Sequence, residues 1–500
     1  MKELIHNGVL VPIYEAKGFS ITFKGEKIKL TPEQEEMAVA WVKKLGTKYV
    51  NDKTFVKNFF KDFAKALNLK CKYEPEDFDF SEIIAYVESE KKVKESLSKE
   101  ERKKLAEQRK LIREANKAKY GYAIVDGERV EIGNYTVEPS SIFVGRGKHP
   151  LRGRWKPGPK QEDITLNLSP NAPIPEGNWK EIVWDPESMW IAKWRDKLTG
   201  KMKYVWLSDS SPLKQAREKE KFDKANSLDE KISEIRKHIW RNLTSEDIKQ
   251  RKIATVCYLI DALKFRVGDE KDEDEADTVG ATTLRPEHIK IKPNGKVLFK
   301  FLGKDSVEWR KEVKLPSLVI NNLKEFIVSA NSSIFDGVKS EDVNAFLSEV
   351  MPGLTAKVFR TYHGTKIVKE YLENQKVKPE DPDYIKKFIA KMANLQAAIE
   401  CNHKKAPPKN WKERLKKKKE RLKELKSKKL TKKRKEAIKK LKLQLKLMKK
   451  TNEYNLNTSL KSYIDPRVYY EWCKKINFDW RLYYPKSLQK KFSWIENEQD

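Results

Sequence analysis

An α+β, multidomain architecture is predicted by three features of this sequence. Its 500 residues suffice for about three domains with cores of their own. Apolar residues recur at helical spacing through most of its second half, and Asp-Gly and Asn-Gly pairs between short apolar runs mark β-hairpins. Charged residues make up 36% and hydrophobic ones 38%, with a formal charge of +32 and thirteen Trp beside 38 Tyr and Phe. That much cationic charge interleaved with flat rings calls for a polyanionic partner, nucleic acid above all. No basic helix has the broad aromatic face that a membrane surface would require. Cys71, Cys257, Cys401 and Cys473 share no C-x-x-C spacing, which excludes both a disulfide framework and a cysteine zinc site. Met1–His6 has no signal-peptide pattern, and no run of about 18 apolar residues occurs, so an intracellular chain without membrane spans is expected.

Residues 1–80 mix short strands with helices. Thr31-Pro32 opens one helix, and Phe59, Phe60 and Phe63 should face inward from another over Thr54–Leu67. From about Ser81 to Lys119 a heavily charged pattern predicts a solvated helix pair. Tyr122–Val125 and Arg129–Ile132 flank Asp126-Gly127 as a hairpin. Gly145-Arg146-Gly147-Lys148-His149-Pro150 fails the dinucleotide-binding pattern and reads as a loop of small residues and cations facing a phosphate backbone. Trp190, Trp194, Tyr204 and Trp206 are expected in the core.

Residues 211–408 read as mainly α with a central β element. A helix carrying Ile253, Val256, Cys257, Ile260 and Leu263 runs to Arg266, with Gly268 stopping it. Pro293-Asn294-Gly295 joins two strands, and the second runs into Gly303-Lys304-Asp305, which puts Lys304 at a ribbon tip. The acids from Asp269 to Asp277 lack ligand spacing and read as a solvated loop; no metal site is expected. A helix starting at Thr355 carries Lys357 and Arg360 on one face. Another, with Ile385, Phe388, Met392, Leu395 and Ile399, delivers Cys401-Asn402-His403 at its end. Residues 411–450 hold 21 Lys and Arg against four Glu. Two leucine-rich seams broken at Ser427–Thr431 predict an antiparallel helical hairpin, a basic arm flanking nucleic acid. Trp472, Phe478, Trp480, Phe492 and Trp494 then dock a small terminal α domain.

Inside that last domain, Thr458-Ser459-Leu460-Lys461-Ser462-Tyr463 sets one tyrosine among small polar and basic residues. A tyrosine hydroxyl titrates near pH ~10, so attack on a phosphodiester requires cations to stabilise the transferred charge. Arg266 after a helix, Lys304 on a ribbon tip, Arg360 on a helix and His403 at a helix end are the groups available.

Those five residues, with their surrounding strings, resemble the eukaryotic-type DNA topoisomerase I family, the type IB enzymes. The strings include Ala276-Asp277-Thr278-Val279-Gly280, Phe301-Leu302-Gly303-Lys304-Asp305-Ser306, Leu354–Tyr362, Cys401-Asn402-His403 with Ala406–Lys409, and Tyr463-Ile464-Asp465-Pro466-Arg467. The resemblance covers nearly the whole chain. It implies Tyr463 as the nucleophile forming a 3′-phosphotyrosyl link, and Arg266, Arg360 and His403 as transition-state stabilisers. It makes Lys304 the general acid for the 5′-oxygen. Relaxation of supercoils of either sign would need no cofactor, neither ATP nor metal. The partner would be double-stranded DNA, clamped by a monomer. Residues 1–210 would form cap and lips, 211–408 the catalytic core, 409–450 the linker and 451–500 the tyrosine domain. Arg146, His149, Lys203, Tyr204, Asp305, Thr458 and Ser462 fall at positions of DNA contact.

The sequence departs from the family in places. Ser462 stands where Asn is frequent, Ser459-Leu460-Lys461 replaces Ser-Lys-Leu, and Val144 replaces Arg. The first two lie where camptothecin-like poisons bind. The resemblance starts near Met1 without the family's long charged tail, which leaves a nucleus or an archaeal nucleoid as the location. Two other readings are a tyrosine recombinase, which usually shows H-x-x-R where this chain has Lys357-x-x-Arg360, and a non-catalytic basic nucleic-acid-binding protein. The latter leaves the five placed residues unexplained.

Overall fold

Thr31 caps a helix at Pro32, as its sequence position predicts. Its hydroxyl accepts from the Gln34 amide while the Gln34 side chain accepts from the Thr31 amide. This computed structural model describes residues 1–269 and 277–497. Most of the acidic run Asp269–Asp277 lies outside the described residues, as does the Asp305 side chain. The fold is α+β throughout, with two compact units meeting in sequence at Lys214 and Gln215.

In the first unit the strands are short: β1 (Leu4–His6), β2 (Ser20–Phe23), β3 (Glu26–Lys29), β4 (Phe78–Asp79), β5 (Tyr122–Val125), β6 (Glu128–Glu131), β7 (Ser141–Ile142), β8 (Trp155–Lys156), β9 (Thr165–Asn167), β10 (Glu181–Val183), β11 (Trp190–Arg195) and β12 (Met202–Trp206). They form sheets ordered β1-β5-β6, β3-β2-β4, β7-β8 and β10-β9-β11-β12, the last with one parallel pair. Helices α1 (Pro32–Val42) and α2 (Lys53–Ala66) pack beside them. Phe55, Phe59 and Phe60 of α2 are buried against Trp41, with the Trp41 and Phe59 rings stacked at 4.6 Å, and Phe63 is buried against Phe59. Each such ring stabilises the unit by about 2–3 kcal/mol through burial. Helices α3 (Ser81–Ser96) and α4 (Lys99–Tyr120) are the charged pair that the sequence predicts, with no buried residue in α4.

The structure corrects the reading of the ribbon β11–β12. Trp190 and Trp194 are buried, but Tyr204 and Trp206 are each 40% exposed. Strand period explains this: Met202, Tyr204 and Trp206 share the outer face, and Val205 points inward.

Gln215 begins the second unit, within α5 (Pro212–Asn242). Then come α6 (Ile248–Leu263), β13 (Ile289–Ile291), β14 (Lys296–Gly303), β15 (Val307–Lys314), α7 (Ser317–Val328), α8 (Ser340–Ser348), α9 (Ala356–Glu373) and α10 (Asp383–Glu400). The C-terminal helices are α11 (Trp411–Ser427), α12 (Lys432–Thr451), α13 (Leu456–Ser462) and α14 (Pro466–Lys475). Helices α11 and α12 form the basic hairpin. Its tip breaks at 428–431, and a bond from Lys418 Nζ to Gln444 Oε1 of 2.6 Å crosses it. Trp472, Phe478, Trp480, Phe492 and Trp494 share one core with Phe222 of α5, Leu372 of α9 and Ala393 of α10. The terminal aromatics therefore anchor α13 and its tyrosine to this unit.

Candidate active site

Helix α6 ends at Leu263, three residues before Arg266, which corrects the expectation of a helix running to Arg266. Lys264 adopts a left-handed conformation (φ 59°) and turns the chain out of the helix. Phe265 is then buried edge-on against Trp309, with centroids 4.5 Å apart, and the half-buried Arg266 follows, its guanidinium carbon 5.9 Å from the Tyr463 ring centroid. Backbone bonds from Ala281 to Arg266 (2.8 Å) and from Val279 to Leu302 (2.7 Å) tie this segment to the β14–β15 ribbon. Gly268 and Gly280 cross so closely that a Cβ on Gly268 would lie 2.6 Å from the Gly280 Cα, so neither position accepts a side chain.

The ribbon carries Lys304 in its tip turn, closed by the Gly303–Val307 pair as the sequence predicts. After α10, Asn402 takes φ 53°, a conformation Asn tolerates, and reverses the chain. Its side chain donates to the Glu308 carbonyl of β15 at 3.1 Å. His403 follows; its carbonyl accepts from Asn455 N at 2.7 Å, which links it to the segment leading into α13.

Arg360 projects from α9 and is buried. Its guanidinium donates to the carbonyls of Lys264 (2.5 Å) and Cys401 (2.8 Å), and Nη2 lies 3.2 Å from His403 Nε2. Since a guanidinium only donates, Nε2 is the acceptor and the His403 proton sits on Nδ1. That buried Nδ1–H has no partner among the described residues. Burial, then the charges of Arg360 and Arg266, push the His403 pKa down to about 3, so the imidazole is neutral at physiological pH.

Tyr463, 7% exposed, lies among these groups. Its ring stacks on that of His403, with centroids 5.1 Å apart at 26°. The Arg360 and Arg266 guanidinium carbons lie 5.1 and 5.9 Å from its centroid. Burial alone would raise the phenol's pKa. The charges of Arg360 and Arg266, with hydrogen bonds from both, outweigh burial and hold it below the ordinary tyrosine value. Arg266, Lys304, Arg360, His403 and Thr458 line one cavity of about 120 Å³. It is a small, cationic, donor-rich recess beside a phenol with an eased pKa, a combination suited to an anionic tetrahedral group.

Other predicted contact residues are scattered. Arg146 is exposed in a loop with positive φ at Gly145 and Gly147. His149 accepts from Leu151 N through Nδ1 at 3.2 Å and packs on Phe143, so its ring helps to shape that loop. Lys203 lies on the strand face opposite Tyr204, partly exposed, with its Nζ 4.0 Å from a Glu138 carboxylate oxygen. The Ser462 carbonyl accepts from Lys221 Nζ at 3.3 Å. Lys357 is exposed while Arg360 is buried, so their shared spacing does not bring them to one site. Sequence reasoning missed Lys221, Gly364 and Thr365, which contact the chain around Tyr463. A glycine in the interior of α9 was the available signal. Among the described residues no group of three or more His, Cys, Asp or Glu could hold a metal ion. None of their helices is long and apolar enough to cross a membrane.

Comparison with known proteins adds a family to this geometry. Residues 1–207 match the DNA-binding fragment of eukaryotic DNA topoisomerase I, 210–438 its catalytic core, and 435–500 the C-terminal topoisomerase domain. DNA topoisomerase 1 alpha of Arabidopsis thaliana is 36% identical over 537 residues, covering 98% of this chain and 58% of the relative. DNA topoisomerase 1 of Homo sapiens is 33% identical over 543 residues, covering 99% and 70%. The Candidozyma auris enzyme of that name is 37% identical over 429 residues, covering 83% and 56%. The chain thus spans a little over half the length of the plant and yeast relatives.

Proposed function

The chain belongs to the eukaryotic DNA topoisomerase I family, and from that premise we propose that it is a type IB enzyme that relaxes positive and negative supercoils in double-stranded DNA. The convergence of Arg266, Lys304, Arg360 and His403 on one recess beside the Tyr463 phenol is the observation that carries this reading. The Tyr463 oxygen attacks a backbone phosphorus as its phenolic proton passes to water, and an Oη–P bond forms as the P–O5′ bond breaks. Lys304 gives its proton to the departing 5′-oxygen. Arg266 and Arg360 donate to the non-bridging oxygens as charge builds on the five-coordinate phosphorus, and neutral His403 adds an uncharged donor in its other tautomer, with the proton on Nε2 and Arg360 turned toward the phosphate. One phosphodiester is exchanged for another of similar energy, so the reaction needs no ATP. The free 5′-end rotates about the intact strand and then reverses the step. Two guanidiniums supply the charge stabilisation that a metal would otherwise provide.

Both units carry DNA contacts in this reading, Arg146 and Tyr204 in the first, Thr458 and Ser462 in the second. The protein acts as a monomer, and the eukaryotic origin of its relatives favours the nucleus. Incubation with supercoiled plasmid in EDTA without ATP tests the reading. Relaxed topoisomers are expected from wild type and none from Tyr463→Phe. Recombination between defined sites without general relaxation, or binding without any strand cleavage, would overturn it.

A further inference from the structure

The backbone around Tyr463 is gripped by side chains from two other helices. On one side Lys221 of α5 donates from Nζ to the Ser462 carbonyl, a helix-terminal oxygen that α13 cannot pair for itself. Lys221 is in turn held by Glu218 at 2.8 Å, and Glu218 also pairs with the buried Lys491 at 3.1 Å. On the other side stands Thr365 of α9. Its one hydroxyl accepts from Asp465 N at 3.0 Å and reaches the Tyr463 carbonyl at 3.5 Å. Gly364 brings α9 this close, since a Cβ there would fall 2.5 Å from that carbonyl. Asp465, 2% exposed, completes the grip by capping α14 through Arg467 N and pairing with the Arg467 guanidinium.

With the chain pinned at residues 462, 463 and 465, the phenol retains only its two side-chain torsions. Those are braced by the His403 ring and the two arginines. We infer that Thr365 and Lys221 are positioning residues for the nucleophile, fixing the Tyr463 backbone so that its oxygen sits in line with the phosphorus held by Arg266 and Arg360. Neither touches the reacting atoms. The inference rests on Tyr463 being the nucleophile.

The surroundings of the grip decide which variants probe it. Thr365 and Asp465, whose shared bond is buried, form part of the wall of a cavity of about 730 Å³, large enough to hold water beside them. Thr365→Ala would leave room for such a water to take the hydroxyl's place. Thr365→Val fills the space with a methyl group and leaves the Asp465 amide and the Tyr463 carbonyl unserved. Thr365→Ser keeps the hydroxyl. Lys221→Met removes the other half of the grip without a cavity.

Covalent adduct on supercoiled plasmid, trapped with denaturant under enzyme excess, is followed beside plasmid affinity and melting temperature for wild type and each variant. Thr365→Val should form adduct about 10- to 100-fold more slowly, the loss expected from misplacing a reacting atom by about 1 Å. Its plasmid affinity should stay within about twofold of wild type, and Thr365→Ser should recover most of the rate. Lys221→Met should slow the same step with affinity likewise kept. Wild-type adduct rates in Thr365→Val or in Lys221→Met would overturn the inference. So would a rate loss that tracks lost binding and melting temperature and is not recovered by serine. Should Thr365→Val fail to fold, Lys221→Met decides alone. Absence of adduct from wild type would instead sink the functional reading on which the inference stands.

Discussion

Two residues at the recess have pKa values shifted downward, and each shift has a measurable consequence. His403 has a folded pKa of about 3 against about 6.5 for the unfolded chain. Between those values the unfolded chain binds a proton that the folded one refuses, so stability is present above pH 6.5 and is lost as pH falls toward 3. In the DNA-free protein this should remove about 2 kcal/mol between pH 8 and pH 5. Urea midpoints of wild type and His403→Gln at the two pH values check it, with the smaller loss in the variant; equal losses would contradict the assignment. Tyr463 is shifted in the helpful direction, because the guanidiniums outweigh burial. The cleavage rate should therefore reach its plateau below pH ~10, and Arg266→Ala should move the rising limb to higher pH as well as lower the plateau. The left-handed Lys264 belongs to this scale too. It costs about 1–2 kcal/mol relative to a helical residue, and its carbonyl is one that Arg360 takes.

At the scale of elements, the β14–β15 ribbon joins two parts of the site. Two residue pairs from its tip, Trp309 packs on Phe265 next to Arg266 and stacks on Phe301 at 5.6 Å; the tip itself holds Lys304. Trp309→Ala should destabilise the second unit by about 3–5 kcal/mol and slow cleavage, whereas Lys304→Ala should slow cleavage by about 10²- to 10⁴-fold with unfolding unchanged. Denaturant titration beside adduct kinetics separates the two. The ribbon was legible because both of its turns announce themselves, through Pro293-Asn294-Gly295 and Gly303-Lys304-Asp305. The end of α6 was not legible, since its left-handed residue is a lysine and Gly268 offered itself as the obvious stop. The exposure of Tyr204 and Trp206 was legible in principle, because both alternate with the inward Val205; a bias toward burying aromatics hid it. The parallel β9–β10 pair left no local mark, as three-residue strands pair through contacts distant in sequence.

Across the whole molecule, charge and site play separate parts. Helices α11 and α12 hold much of the +32 surplus, and only Ile438, Leu441 and Leu445 of the pair are buried, so most of the lysines face solvent. Replacing four exposed lysines of α11 with glutamine should flatten the salt dependence of DNA affinity by about 0.9 log units per decade of salt for each phosphate no longer neutralised, with helicity retained. An unchanged slope would mean that the arm does not touch DNA. The site itself has no local signature: Arg266 and Tyr463 are some 200 positions apart, and no periodicity joins them. They became readable together through resemblance to a family, and physically through the aromatic core that seats α13 and α14 against α9 and α10. The most direct measurement of the central claim, that one recess delivers a phenol to a DNA phosphate, is to map the protein–DNA adduct trapped on supercoiled plasmid. The account predicts a single modified peptide in which Tyr463 carries a 3′-phosphate, with a free 5′-hydroxyl on the other DNA end. A 5′-linked phosphate, or attachment through any other residue, would contradict it.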